Sequence, residues 1–230
     1  MILRDRDDSV AHTQITRLRW TDLLKFRQTW GTIVARSFTD PVWFFVADWF
    51  PLYLVSKGLV LKDSIFAIWI PFVAADLGNF FGGAASGFLI KRGWSVGKAR
   101  KAVVIFGACG MLLLIPTIAT NRLFFIVPLF ALSTFCYASY STIANVLPSD
   151  LFRRESVASV SGMGGSAAGI GTIIAFKLVG YISDTHRGPA ASSFDWILVA
   201  AGLIPFAGMI LVLLLVRNTR ATARGLVRPI

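Results

Sequence analysis

The stretch "SFTDPVWFFVADWFPLYL", residues 37–54, decides the fold, because it is apolar enough for a bilayer yet contains Asp40, Asp48, Pro41 and Pro51. Arg36 stands immediately before it. A charged side chain at bilayer centre costs about 2.5–3.5 kcal/mol on insertion scales, so these charges have to face a bundle interior or a wetted cavity. On a helix, Arg36, Asp40, Trp43 and Ala47 follow i, i+4, i+7, i+11 spacing and share one face, which lets Arg36 and Asp40 pair. Asp48 falls about 120° from that face and is expected nearer an interface. Pro41 and Pro51 each remove a helix hydrogen bond, and membranes tolerate such breaks where neighbouring helices or water satisfy the freed carbonyls.

The rest of the chain has the same character. Hydrophobic residues make up 55% of the 230 and charged residues only 15%, with a mean hydropathy of +0.67. A soluble domain normally carries about a quarter charged residues. About 20 helical residues cross the hydrocarbon layer, and six apolar segments reach that length, near 29–56, 63–90, 101–119, 123–147, 156–183 and 195–216. The expected fold is therefore an all-α integral membrane bundle of six transmembrane helices. It is flanked by a basic segment, 1–28, and a basic tail, 217–230.

The net charge of +11 is distributed by side. If residues 1–28 are cytoplasmic, that face collects the six bases from Arg4 to Arg27. It also collects Lys91, Arg92, Lys98, Arg100, Lys101, Arg153, Arg154 and the four arginines beyond residue 216. The opposite face holds only Lys57, Lys62, Arg122 and Arg187. By the positive-inside rule both termini are cytoplasmic, as expected of a multi-pass protein of the plasma (inner) membrane. The basic excess calls for no nucleic-acid partner. In the N-terminal segment, Ile15, Leu18, Leu23 and Phe26 lie among bases, as in a helix along the interface, and a solvated linker fits the same pattern. Cys109 and Cys136 fall within spans and read as free apolar thiols.

Further polar groups recur within the spans, Asp76 and Lys177 among them, and together they have the look of a solute pathway. Phe72, Asp76, Asn79 and Gly83 share a face of the second, which Pro71 interrupts. The fourth presents Ser133, Tyr137, Tyr140 and Ser141 on one side, with Asn145 slightly rotated, and the fifth carries Lys177 near its outer end. The tyrosines and serines also fit interhelical hydrogen bonding, and Lys177 also fits snorkelling to the headgroups. Small residues four apart, Gly83 with Gly87 and Ser161 with Gly165 and Gly169, suit close helix packing. No phosphate-binding loop, metal-ligand cluster or paired catalytic carboxylates occurs, so no enzyme activity, metal or cofactor is expected.

"RQTWGTIVARSFTDPVWFFVADWFPLYLVSKGLVL" and "WIPFVAADLGNFFGG" together resemble the start of the C-terminal half of the major facilitator superfamily. Within it, the anion:cation symporter branch, with its hexuronate and other sugar-acid transporters, is the nearest likeness. "KRGWSVGKARK" resembles the basic loop between the second and third helices of a half, and "LPSDLFRRESVASVSGMGGSAAGIGTIIAFKLVGYISD" the loop and helix late in it. The likeness runs from about Arg17 to about Arg217. One departure is Gly87, which stands where the family's loop signature commonly has Asp.

This resemblance implies one half of a twelve-helix fold, with a missing N-terminal six-helix half that holds much of the coupling machinery. It implies secondary transport of a small organic anion, coupled to a cation such as H+. The residues it points to as one wall of the cavity are Arg36, Asp40, Trp43, Asn79, Tyr137, Tyr140, Ser141 and Asn145. Two rival readings start from the same residues. One is a truncated half-transporter with no activity of its own. The other is an intramembrane serine protease using Ser166, whose only candidate bases, His12 and His186, lie off the helix ends.

Overall fold

The computed structural model describes residues 20–58, 65–185 and 190–216, and among these every regular element is helical. A single turn, α1 (Trp20–Leu23), leads into α2 (Arg27–Ser37) and α3 (Asp40–Ser56). The long helices follow as α4 (Ile65–Lys91), α5 (Val96–Met111), α6 (Leu123–Leu151), α7 (Arg154–Thr185) and α8 (Ala190–Leu215), with a 3-10 segment, Leu112–Ala119, extending α5. Among the described residues five stretches are long and apolar enough to cross a membrane, counting α5 and its extension as one.

The first predicted span is divided. α2 and α3 meet at Phe38 and Thr39, whose backbones stay near the right-handed helical region. The amides of Phe38 and Thr39 still find the Val34 and Arg36 carbonyls, at 3.1 Å each. Pro41 explains the position: it suits the first turn of a helix, where its missing N–H has no partner to lose, and it cannot continue the preceding one. The break also agrees with the charges. Arg36 stands in the last turn of α2 and Asp40 in the first turn of α3, so each is favoured by its own helix dipole.

Other boundaries move as well. α6 runs through Pro148 to Leu151, so the expected loop "PSDLFRRES" shrinks to Phe152 and Arg153. Of the bases assigned to cytoplasmic loops, Arg92 and Arg153 lie between helices, whereas Lys91 ends α4, Arg100 and Lys101 lie on α5, and Arg154 begins α7. The tight turn after Lys91 is made by Gly93 at φ 91°, a left-handed conformation that glycine adopts without strain. Leu23 and Phe26 turn inward. They pack, fully or nearly buried, into the core formed with Val103, Val104, Ile143 and Met209. Residues 1–19 and 217–230, which make up most of the N-terminal flanking segment with His12 and all of the basic tail, lie outside the described residues, as does His186.

α6 is the central post, with α4 and α5 against it on one side and α2, α7 and α8 completing the bundle. The contact of α4 with α6 is made backbone to backbone. A Cβ at Gly82 would stand 2.6 Å from the Ser139 carbonyl oxygen, and Gly107 of α5 is as close to Tyr140. Ser139 and Thr134 hydroxyls donate across this seam to the carbonyls of Gly78 and Pro71, at 3.1 and 2.8 Å. Among the described residues, the α4 glycines packed against a neighbouring helix are thus Gly78 and Gly82. A Cβ at the predicted Gly83 or Gly87 meets nothing within 4 Å among the described residues, because both turn away from α6.

Candidate substrate-pathway site

Two apolar cores occupy the two ends of the bundle. One gathers Phe50, Tyr53, Phe130 and Leu198, the other Leu23, Val104, Leu147 and Met209. Tyr137 belongs to the first and Tyr140, one turn on, to the second. The polar cluster of α2 and α3 lies against that junction, at mid-length of α6.

The Arg36 guanidinium donates from Nη2 and Nε to one oxygen of Asp40, at 3.0 and 3.2 Å. Their side chains keep 26% and 12% exposure, so the pair is neither sealed nor solvated. Its room comes from α7: a Cβ would stand 3.3 Å from Arg36 Nη1 at Gly165 and 3.4 Å from Arg36 Cδ at Gly164. Gly165 therefore seats the arginine and does not simply bring backbones together. A small cavity beside the guanidinium is lined by Thr32, Asn145, Ser161 and Gly164. That accounts for Ser161, while Gly169 turns outward, with nothing within 4 Å of an added Cβ.

On the other side of the pair, Tyr137 lies within electrostatic reach of both Asp40 and Arg36, with the Ser141 hydroxyl as a neighbour of its own. Trp43 stacks on the Tyr137 ring at 5.5 Å with 9° between planes and meets Phe72 edge-on at 5.5 Å. Such pairs are worth about 0.5–1.5 kcal/mol each beyond burial, and they fix the tryptophan's plane. Tyr140 is wholly buried, with Thr39 and Asp40 as neighbours of its hydroxyl.

The structure brings Arg36, Asp40, Trp43, Tyr137, Tyr140, Ser141 and Asn145 together. Asn79 stands on the exposed side of α4 and accepts from the Thr142 hydroxyl at 2.9 Å, a partner the sequence had not singled out. Asp76 is exposed on α4, one turn before Asn79. Lys177 does not join the cluster: it is exposed, and lies about 120–140° around α7 from the glycines that face Arg36.

A second polar network was also missed. Arg100 donates to Asp150 at 2.9 Å and to Ser86 at 3.0 Å, tying α5 to α6 and α4 at the end of the bundle that carries the basic turns. The only sequence signal for it was the surplus of bases. Among the described residues no three His, Cys, Asp or Glu side chains gather to hold a metal. Ser166 lines an open groove with Trp20, Trp30 and Met163, and both histidines lie outside the described residues.

In chemical terms the cluster offers a guanidinium fork suited to a carboxylate, several hydroxyl and amide groups, and an aromatic plate. The chain is 31% identical over 169 residues to the hexuronate transporter of Escherichia coli K12, covering 71% of this chain and 38% of that protein. It is also 31% identical over 175 residues to the probable galactarate/D-glucarate transporter GarP of the same organism, covering 75% and 39%. Over 71–75% of its length the chain is thus similar to curated sugar-acid transporters. A Bacillus subtilis relative, the probable galactarate/D-glucarate transporter GudP, is 28% identical over 214 residues, covering 91% and 46%. A scan against protein-family models matches none.

The chain thus spans 38–46% of the length of these curated relatives. These named relatives are transporters and not enzymes. Together with five helices capable of crossing a bilayer, they make this a multi-pass membrane protein.

Proposed function

We propose that the chain is the C-terminal six-helix half of a secondary transporter for a small organic anion, a hexuronate or a related sugar acid. α2 and α3 together form its first, broken span. The distribution of bases supports cytoplasmic ends and a plasma (inner) membrane location, and the family likeness supports coupling to H+ or another cation. The observation that carries the reading is the Arg36–Asp40 pair, held at a helix break in mid-bundle and still partly exposed.

Arg36 offsets the substrate carboxylate, taking it in place of or beside Asp40. Hydroxyl and amide groups of Tyr137, Ser141, Asn145 and Asn79 exchange hydrogen bonds with sugar hydroxyls, and the Trp43 ring packs against the sugar face. Asp76 and Asn79 open toward the side that an N-terminal six-helix half would complete.

The test is uptake of labelled glucuronate into proteoliposomes carrying a complete two-half transporter that includes this chain. Arg36→Ala is expected to abolish it, and unchanged uptake would remove Arg36 from the site. A second reading, that the chain alone is inactive, is favoured by the exposure of Asp76 and Asn79 on α4 beside large apolar side chains such as Leu77 and Phe80. Uptake by the chain alone would exclude it.

A further inference from the structure

A guanidinium offers carboxylates two forked edges, one along Nε and Nη2 and the other along Nη1 and Nη2. Asp40 takes the first edge only, and with a single oxygen: Nε and Nη2 of Arg36 both donate to its Oδ2, at 3.2 and 3.0 Å. Among the described residues nothing accepts from Nη1, so the second edge is free. Nη1 is turned toward α7, where Gly165 leaves it room: an added Cβ there would stand 3.3 Å away. The cavity that Arg36 lines with Thr32, Asn145, Ser161 and Gly164 lies on this same α7 side. A second carboxylate can therefore reach the arginine without displacing Asp40.

Charge then decides what else must enter. Empty, the Arg36–Asp40 pair is neutral. With a second carboxylate on the free edge, the three groups together carry net negative charge at mid-bundle, where charge is costly. Two carboxylates sharing one site do not both stay ionised, and one of them takes a proton. A sugar-acid carboxylate has an electron-withdrawing oxygen on the neighbouring carbon, so it is the stronger acid and keeps its charge on the fork. The proton falls to Asp40, whose side chain retains 12% exposure and so has access to water. A protonated Asp40 also needs an acceptor for its O–H. Beside it stands Tyr140, wholly buried, with an Oη that has no hydrogen-bond partner among the described residues.

The remaining charged groups stand back from Asp40. From α6 the titratable side chains near it are Tyr137 and Tyr140. α7 presents Ser161, Gly164 and Gly165 to the pair, none of them ionisable. The other charge on α2 is Arg27, in its first turn. On α8 the charged side chain is Asp195, which lies 4.0 Å from Lys57, just past the end of α3. Asp48 of α3 and Asp76 of α4 are exposed.

We infer that Asp40 is the binding site of the coupling proton: the substrate carboxylate takes the free edge of Arg36, and a proton from the same aqueous side settles on an oxygen of Asp40. Both are released on the far side, where the proton returns to water and Asp40 closes again on Arg36 alone. The inference rests on the transport reading above and adds to it the coupled cation and the residue that carries it.

The experiment uses a purified complete two-half transporter that includes this chain. Glucuronate is titrated in, its Kd is followed calorimetrically, and proton uptake is followed with a pH-indicator dye in weak buffer. One proton per glucuronate is expected, and Kd should rise about tenfold per pH unit at the alkaline end, because substrate and proton bind together. Asp40→Asn should bind glucuronate with no proton uptake and with a Kd flat in pH. A proton count or pH slope that survives in Asp40→Asn would overturn the inference and leave the transport reading intact. Absence of any glucuronate binding by the unmodified transporter would overturn both. If Asp40→Asn does not keep its helical circular dichroism, infrared difference spectra of the unmodified protein decide. A protonated-carboxyl band should appear on adding glucuronate and should shift in Tyr140→Phe. Its absence, or its indifference to that substitution, would overturn the inference.

Discussion

Along α4, α5 and α6 the backbones touch, and glycines at 78, 82 and 107 leave no space between helices. Along α2, α3 and α7 a charged side chain occupies that space, and glycines at 164 and 165 exist to admit it. The same small residue does opposite work in the two regions. In the first it removes a gap, and hydroxyls of Ser139 and Thr134 then bridge the seam to carbonyls. In the second it preserves a gap, and the helix opposite is broken at residues 38–39, where an ion pair complements both free ends. One side is built as a rigid plate and the other as a wall with a polar recess.

Loss of the plate should be the larger effect. Gly82→Leu drives a side chain into the Ser139 backbone and is expected to cost more than the about 1–3 kcal/mol of ordinary overpacking. The folded monomer peak in fluorescence size-exclusion should fall away on mild heating. Arg100→Ala should cost about 1–3 kcal/mol by leaving Asp150 and Ser86 without their donor, and a double-mutant cycle with Asp150→Ala should recover a coupling of that order.

In the wall, Arg36→Ala alone should destabilise more than Arg36→Ala combined with Asp40→Ala, because the single change leaves a carboxylate unpaired within the bundle. Thermal melts of the three proteins check the order. The smallest effect belongs to Gly83→Ala, whose added Cβ meets nothing within 4 Å among the described residues and which should stabilise α4 by up to about 1 kcal/mol through helix propensity. If Gly83→Ala and Gly82→Leu were equally harmful, the division into plate and wall would be wrong.

How much of this the sequence shows depends on the range of the interaction. The Arg36–Asp40 pair is four residues long and could be read from spacing, and Pro41 marked the break to within two residues. Hydropathy alone carried the span across it, since an apolar run gives no sign of a change in helix direction. Glycine spacing was ambiguous: residues 78 and 82 have the same interval as 83 and 87, and only the position of α6 selects the first pair. Arg100 counted as one more base in a loop, because its partner Asp150 lies fifty residues away. The Thr142–Asn79 bond is hidden for the same reason. Lys177 looked like a pathway charge because depth along a helix is readable and azimuth toward a neighbour is not.

The central claim, that residue 36 faces a wetted recess and not acyl chains, is tested by thiol accessibility in membranes. Arg36→Cys, made with Cys109 and Cys136 replaced by serine, should react with a charged methanethiosulfonate reagent in a complete transporter, and glucuronate should slow the reaction. Ile173→Cys, on the exposed apolar side of α7, should stay unlabelled. An unreactive thiol at position 36, with a hydrophobic maleimide labelling it as readily as position 173, would contradict the account.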